Sequence, residues 1–189
     1  MQRLFFAFAL LSLLSPYQAI AGEWSAEKVH QIAGFHIPEC VVVDADNQQA
    51  YVSNVVAKVE GEGYDRFWKK DGTGFVSRLQ LPEKLDALHW RKSTSAFALN
   101  GPKGLCVHDG WLWAADIDRV VRFRLDDPSK SEIVNVDGAQ GLNDMASDGK
   151  FAYVTDIAAG KCYRLRPGKT HAEIPAPPGI NGITFHDGQ

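Results

Sequence analysis

The sequence predicts an all-β chain built from repeated antiparallel units, and three observations carry that expectation. The composition is globular and strand-forming: 189 residues are 45% hydrophobic and 11% aromatic, with 17 Gly and 9 Pro punctuating short Val-rich runs. Three stretches superpose on one another: IPECVVVDADNQQAYVSNVV from Ile37, GPKGLCVHDGWLWAADIDRVVRFRL from Gly101 and GLNDMASDGKFAYVTDIAAGKCYRL from Gly141. The third strands of the copies, FVSRLQL, VVRFRL and KCYRLRP, alternate apolar and polar residues with period 2, as half-buried strands do.

Each copy reads as a strand, an Asp/Gly turn (DADN, HDG, SDG), a second strand (AYVSN, WLWAAD, FAYVTD), a hairpin and a third strand. ALHWRK and SEIVNV supply a fourth, edge strand. Lys103, Asn143 and Asn181 share one repeat position at intervals of 40 and 38 residues, and Glu39 matches them in the first copy. A period near 40 with about four strands is the signature of a β-propeller blade. The sequence accounts for three blades and, from GINGITFHDG, the start of a fourth. It is therefore expected to be the first portion of a longer domain.

The amino end belongs to a different element. A short cationic start, the apolar run Leu4 to Leu14 and the small-x-small pattern Ala19-Ile20-Ala21 lay out a secretory signal peptide over 1–21. The run is shorter than the roughly 20 residues a membrane span needs. The expectation is a periplasmic or secreted domain over 22–189, off the membrane after cleavage. A net charge of -3 and no basic stripe argue against nucleic acid as a partner. Cys40, Cys106 and Cys162 lie in strand-like runs and read as buried thiols, with no zinc spacing.

In a propeller the innermost strand of each blade lines the channel, so residues at its start converge on one mouth. Glu39, Lys103, Asn143 and Asn181 hold that position. Three of them carry oxygen donors, which suits a hard cation such as Ca²⁺. Lys103 works against this: an ammonium there repels the cation, replaces it, or orients a substrate carboxylate or phosphate. His108 and His186 stand five residues further on, roughly 16 Å away at the far end of the strand. Asn54, Asp116 and Asp156 end the second strands on the mouth side and read as turn formers rather than ligands. The insertion VEGEGYDRFWKKDGTG joins second and third strands of the first blade. With Tyr64, Phe67 and Trp68 it reads either as a lid or specificity loop over the mouth or as a self-packed surface loop.

On PEC at Pro38, PKG at Pro102, LNDMASDGKFAYVTD at Leu142 and INGITF at Ile180, the chain resembles the senescence marker protein/gluconolactonase family, relatives of the paraoxonases. The resemblance implies a six-bladed propeller and a divalent metal held by Glu39, Asn143, Asn181 and an Asp of a later blade beyond Gln189. That Asp is also the family's proposed general base. The activity implied is hydrolysis of a lactone or small ester at the mouth; from their places at the mouth and on the insertion, Lys103, Tyr64 and Trp68 are the substrate-binding candidates. The second expectation is a non-catalytic propeller that binds a small molecule or protein through the same mouth. No Gly-x-Ser-x-Gly occurs, which argues against a serine hydrolase.

Overall fold

The computed structural model describes residues 28, 30–56, 63–82, 84–127, 129–169 and 171–185. The chain divides into two units, residues 1–31 and 32–189. Of the first, only residues 28, 30 and 31 are described, so the signal-peptide expectation lies outside the described residues, as does His186.

The second unit is three four-stranded antiparallel sheets with sequential strand order. Sheet one is β1 (Pro38–Asp44), β2 (Gln49–Asn54), β3 (Phe75–Gln80) and β4 (Lys84–Lys92). Sheet two is β5 (Pro102–His108), β6 (Trp111–Asp116), β7 (Arg119–Arg124) and β8 (Ser131–Asn135). Sheet three is β9 (Leu142–Ser147), β10 (Ala152–Asp156), β11 (Lys161–Arg164) and β12 (Ala172–Pro175). The innermost strands follow one another, β1 beside β5 and β5 beside β9. The chain thus has the all-β blade architecture of a propeller, with a single 3-10 turn at Tyr64–Trp68 among the described residues.

Apolar faces pack between successive sheets. Leu105, Leu112, Val121 and Phe123 meet Tyr51 and Val76 between sheets one and two. Trp113, Val120, Met145, Val154 and Tyr163 fill the layer between sheets two and three. Strand alternation explains both layers, since successive side chains of β5 and β6 point to opposite neighbours. Cys106 and Cys162 are buried, Cys40 half-buried, and all three are free thiols.

Two features fix how closely the blades approach. A Cβ on Gly104 of β5 would lie 2.4 Å from the Asp144 Cα and 2.5 Å from the Met145 nitrogen of β9, so backbone meets backbone there. Gly104→Ala must separate the two inner strands, and overpacking of this kind costs about 1–3 kcal/mol. The expected result is a urea midpoint lowered, at unchanged m, by that free energy divided by m; a midpoint equal to the parent would show the blades free to part.

The second feature is an anchor repeated in each blade. Asn54, Asp116 and Asp156 end β2, β6 and β10, and each accepts backbone N–H groups from the segment leading into its own inner strand. Asn54 takes the His36 N–H at 2.8 Å, Asp116 the Asn100 and Gly101 N–H groups, and Asp156 those of Gln140 and Gly141. Asp156 also accepts from Ala158 and Ala159, closing the following turn. These side chains fasten the entry of each inner strand to the second strand of its own blade and are not free to act as ligands at the mouth.

The stretch Asn181–Phe185 pairs with no strand, although its sequence reads as a fourth inner strand. It instead lies along sheet three: Thr155 Oγ1 donates to the Asn181 carbonyl at 2.6 Å and Phe185 stacks on Tyr153. A strand needs a paired neighbour to complete its ladder, and the described residues offer this stretch side-chain partners, with Asp144 Oδ2 also accepting the Ile183 N–H, rather than a paired strand.

Candidate functional site at the mouth of the inner strands

The site residues stand where each inner strand bulges. Pro38 pairs with Asn54 and Val41 with Val52, so Glu39 and Cys40 together oppose Ser53 alone. The same slip places Lys103 and Gly104 against Ala115, and Asn143 and Asp144 against Thr155. A bulge re-aims a side chain and leaves one ladder donor unpaired. In the first and third blades a hydroxyl takes that donor: Cys40 N–H to Ser53 Oγ and Asp144 N–H to Thr155 Oγ1, each 3.0 Å. The second blade has Ala115 and no such bond. The repeat therefore builds one local geometry three times and places a different polar side chain in it each time.

The residue after each site position ties its blade to the next. Leu105 N–H donates to Cys40 Sγ at 3.3 Å, and Ile183 N–H donates to Asp144 Oδ2 at 2.9 Å. Asp144 Oδ1 accepts from Met145 N–H at 2.8 Å. Both Asp144 oxygens are thus engaged structurally, which the Asn-Asp dipeptide alone does not reveal.

Glu39 faces solvent but is crowded by the surrounding protein. Burial of its carboxyl, with Asp144 nearby, pushes its pKa up to about 7, and the Lys103 charge only partly opposes this. Lys103 is 3% exposed. Its Nζ donates to the Phe67 carbonyl at 2.9 Å and the Gly101 carbonyl at 3.1 Å, and lies 4.1 Å from the Trp68 ring centroid. Burial lowers its pKa to about 8, with Glu39 and Asp116 resisting.

The insertion reaches across the mouth. The 3-10 turn Tyr64–Trp68 lies over Lys103, and the next residues reach blade two through the Lys70–Asp118 ion pair. Trp68 extends to blade three, where a Cβ on Gly141 would come within 3.4 Å of its ring. Trp68 and Lys103 thus form one contact that roofs the inner strands. Tyr64 begins the 3-10 turn. His36 does not join the site, since its ring packs edge-on against Phe75 at 5.9 Å. His108 sits at the other end of β5, where Nδ1 meets Ser147 Oγ at 3.0 Å.

Asn143 is 4% exposed, and its Oδ1 is buried without a hydrogen-bond partner. An orphaned buried acceptor costs about 1–3 kcal/mol unless something donates to it or is coordinated by it. Asn181 is exposed, and only its carbonyl has a partner described above. Among the described residues no three His, Cys, Asp or Glu cluster closely enough to hold a metal. A cation here would rely on amide oxygens beside a single carboxylate. That donor set fits a hard cation: Asn143 Oδ1 is unused, Glu39 carries an under-compensated charge, and the Lys103 ammonium is held by loop carbonyls.

The fold and the bulged polar positions define the class: β-propeller blades with a polar mouth covered by an aromatic loop. No protein-family model and no curated protein sequence matches the chain. Among solved structures it is similar to a chain in a nidogen/laminin complex, with TM-score 0.60 and 17% identity over 80% of this chain and 52% of that one. It is also similar to a catalytically inactive virginiamycin B lyase from Staphylococcus aureus solved with quinupristin, with TM-score 0.56 and 14% identity. That match covers 78% of this chain and 45% of the lyase. The chain thus spans about half the length of these structures. At such identities the likeness establishes the fold, a β-propeller.

Proposed function

We propose that the mouth binds a small molecule and hydrolyses a lactone or small ester, with a divalent cation, Ca²⁺, held by Glu39, Asn143 and Asn181. The observation that carries this reading is the buried, unpartnered Asn143 Oδ1, set in the same bulge geometry as Glu39. When bound, the cation supplies polarisation of the ester carbonyl and stabilises the negative charge that develops there. The chain's own residues do the rest of the positioning. Lys103 pins the Phe67 carbonyl and the Trp68 ring over the mouth, which limits water and offers an apolar wall to the substrate. Tyr64 begins the same 3-10 turn and is proposed, with Trp68, as a substrate-binding residue. The resemblance of the PEC, LNDMASDGKFAYVTD and INGITF motifs to gluconolactonases supports the substrate class, and export to the periplasm or medium goes with the amino-terminal pattern.

The closed contact between Lys103 and Trp68 favours a second reading, a propeller that binds its ligand without turning it over. Calcium titration followed by thermal shift, together with lactone hydrolysis followed by acid release, separates the two. The expected result is a Ca²⁺-dependent rise in Tm that is lost in Glu39→Gln and in Asn143→Ala, with hydrolysis lost alongside. A Tm unmoved by any divalent cation would overturn the metal site. Calcium binding without turnover of any lactone would leave the binding reading in place.

A further inference from the structure

Away from the mouth the blades enclose a second polar site. At the opposite end of the blades, between sheets two and three, lies a cleft of about 420 Å³. That volume falls within the range of small-molecule sites, about 300–1,000 Å³. We infer that this inter-blade cleft binds a small anion carried on an aromatic or planar apolar body, an aryl phosphate being the simplest representative.

The cleft sorts its chemistry by depth. Its floor is apolar and buried: Trp113, Ala152 and Leu165, with Phe151 half-buried beside them. Its rim is cationic, from Lys150, Arg166 and Lys169, against the single acid Asp109. Among the described residues none of those three cations forms an ion pair. The fourth cation, Arg122, is already neutralised by Glu132, and its guanidinium lies 4.9 Å from the Trp113 ring centroid. A ligand that places a ring on the floor and a phosphate at the rim therefore meets apolar surface first and uncompensated positive charge second. An anion without the ring leaves the floor wet, and a ring without the anion leaves the rim charges unpaired.

The walls are held in place rather than draped. The turn Arg166–Lys169 closes with Lys169 N–H donating to the Arg166 carbonyl at 2.9 Å, and Gly168 supplies its φ of 72°. Arg166 N–H donates to His171 Nδ1 at 2.8 Å, while His171 Nε2 meets the Asn135 carbonyl of β8 at 2.8 Å. The rim of blade three is thereby fastened to blade two. On the inner side, His108 Nδ1 and Ser147 Oγ join β5 to β9, and Trp113 Nε1 donates to the His108 carbonyl at 3.2 Å. A cleft tied at both ends presents its charges with little ordering left to do on binding.

The test titrates the full chain with phenyl phosphate, inorganic phosphate and phenol, following the Trp113 indole N–H resonance. The expected result is saturable movement of that resonance by phenyl phosphate, at least tenfold tighter than by either fragment. Arg166→Ala/Lys169→Ala should weaken phenyl phosphate at least tenfold with Tm unchanged. Should the double variant fail to fold, the exposed Lys150→Gln is expected to weaken it at least threefold. No movement of the Trp113 signal at millimolar phenyl phosphate, inorganic phosphate binding as tightly, or cation variants that bind like the parent would each overturn the assignment.

Discussion

Asp116→Ala is expected to be the most damaging single change in the described part of the chain. The carboxylate is wholly buried at the end of β6 and gathers donors from three sides. Gly101 N–H lies at 2.8 Å, Asn100 N–H at 2.9 Å and the Asn100 amide at 3.2 Å, while Arg119 approaches at 3.2 Å. Truncation orphans two buried backbone donors and strips a guanidinium of its counter-charge. Removing one partner of such a pair costs about 3–5 kcal/mol, a large fraction of the total stability of a domain. Asp116→Asn is expected to cost roughly half as much, because it keeps one acceptor oxygen and loses chiefly the charge felt by Arg119. The first blade already uses that solution, with Asn54 accepting the His36 N–H. Urea unfolding of the two variants checks the order. If Asp116→Ala proves no worse than Asp116→Asn, the backbone donors are not what this carboxylate serves.

The contrast among Asn54, Asp116 and Asp156 also shows what the sequence made legible. Self-comparison alone placed the four-strand repeat, the alternation of the third strands and the position of the insertion. It also aligned Glu39, Lys103 and Asn143, which occupy one structural position on β1, β5 and β9. All of these are local or periodic properties, and strand periodicity is a strong signal when it recurs at a fixed interval.

What escaped sequence reasoning is the bulge that makes the position special. A bulge is a matter of pairing between strands, and neither strand states it alone. One trace of it was present: Ser53 and Thr155 fall at the same repeat position, one residue before the anchors, where a hydroxyl relieves the unpaired donor. The conversion of Lys103 from an open mouth residue into the post beneath Trp68 was equally hidden. It depends on a loop-to-strand contact between residues 35 apart in the chain, and the insertion read equally well as a self-packed surface loop. The cationic cleft was missed for the same reason. Lys150 sits in the β9–β10 turn and Arg166 and Lys169 in the β11–β12 turn, and the cleft they rim exists only once sheet three packs on His108 and Trp113 of sheet two.

Lys103 gives the second large expected effect, and its sign follows from the direction of its shift. Burial lowers the ammonium's pKa in the folded state to about 8, from an ordinary value of 10.5. Below pH 8 both states carry the charge, and folding bears the full cost of burying it, about 3 kcal/mol at 1.4 kcal/mol per unit. Between pH 8 and 10.5 the folded chain sheds the proton while the unfolded chain keeps it, so stability rises with pH. The gain is about 1 kcal/mol between pH 8 and 9. Buried thiols work the other way: Cys40 is pushed up to about 11 and Cys106 higher still, so the unfolded chain ionises them first as pH passes roughly 9. The Lys103 contribution is therefore best seen in the difference between the parent and Lys103→Met, where the thiols cancel. Methionine keeps the length of the side chain and carries no charge to bury. It forfeits the bonds to the Phe67 and Gly101 carbonyls and the contact with the Trp68 face. The expected result is a parent-minus-variant stability that climbs by about 1 kcal/mol from pH 8 to 9. A difference curve flat across the whole range would mean that the ammonium is solvated under Trp68, and the loop would then owe its position to its own packing.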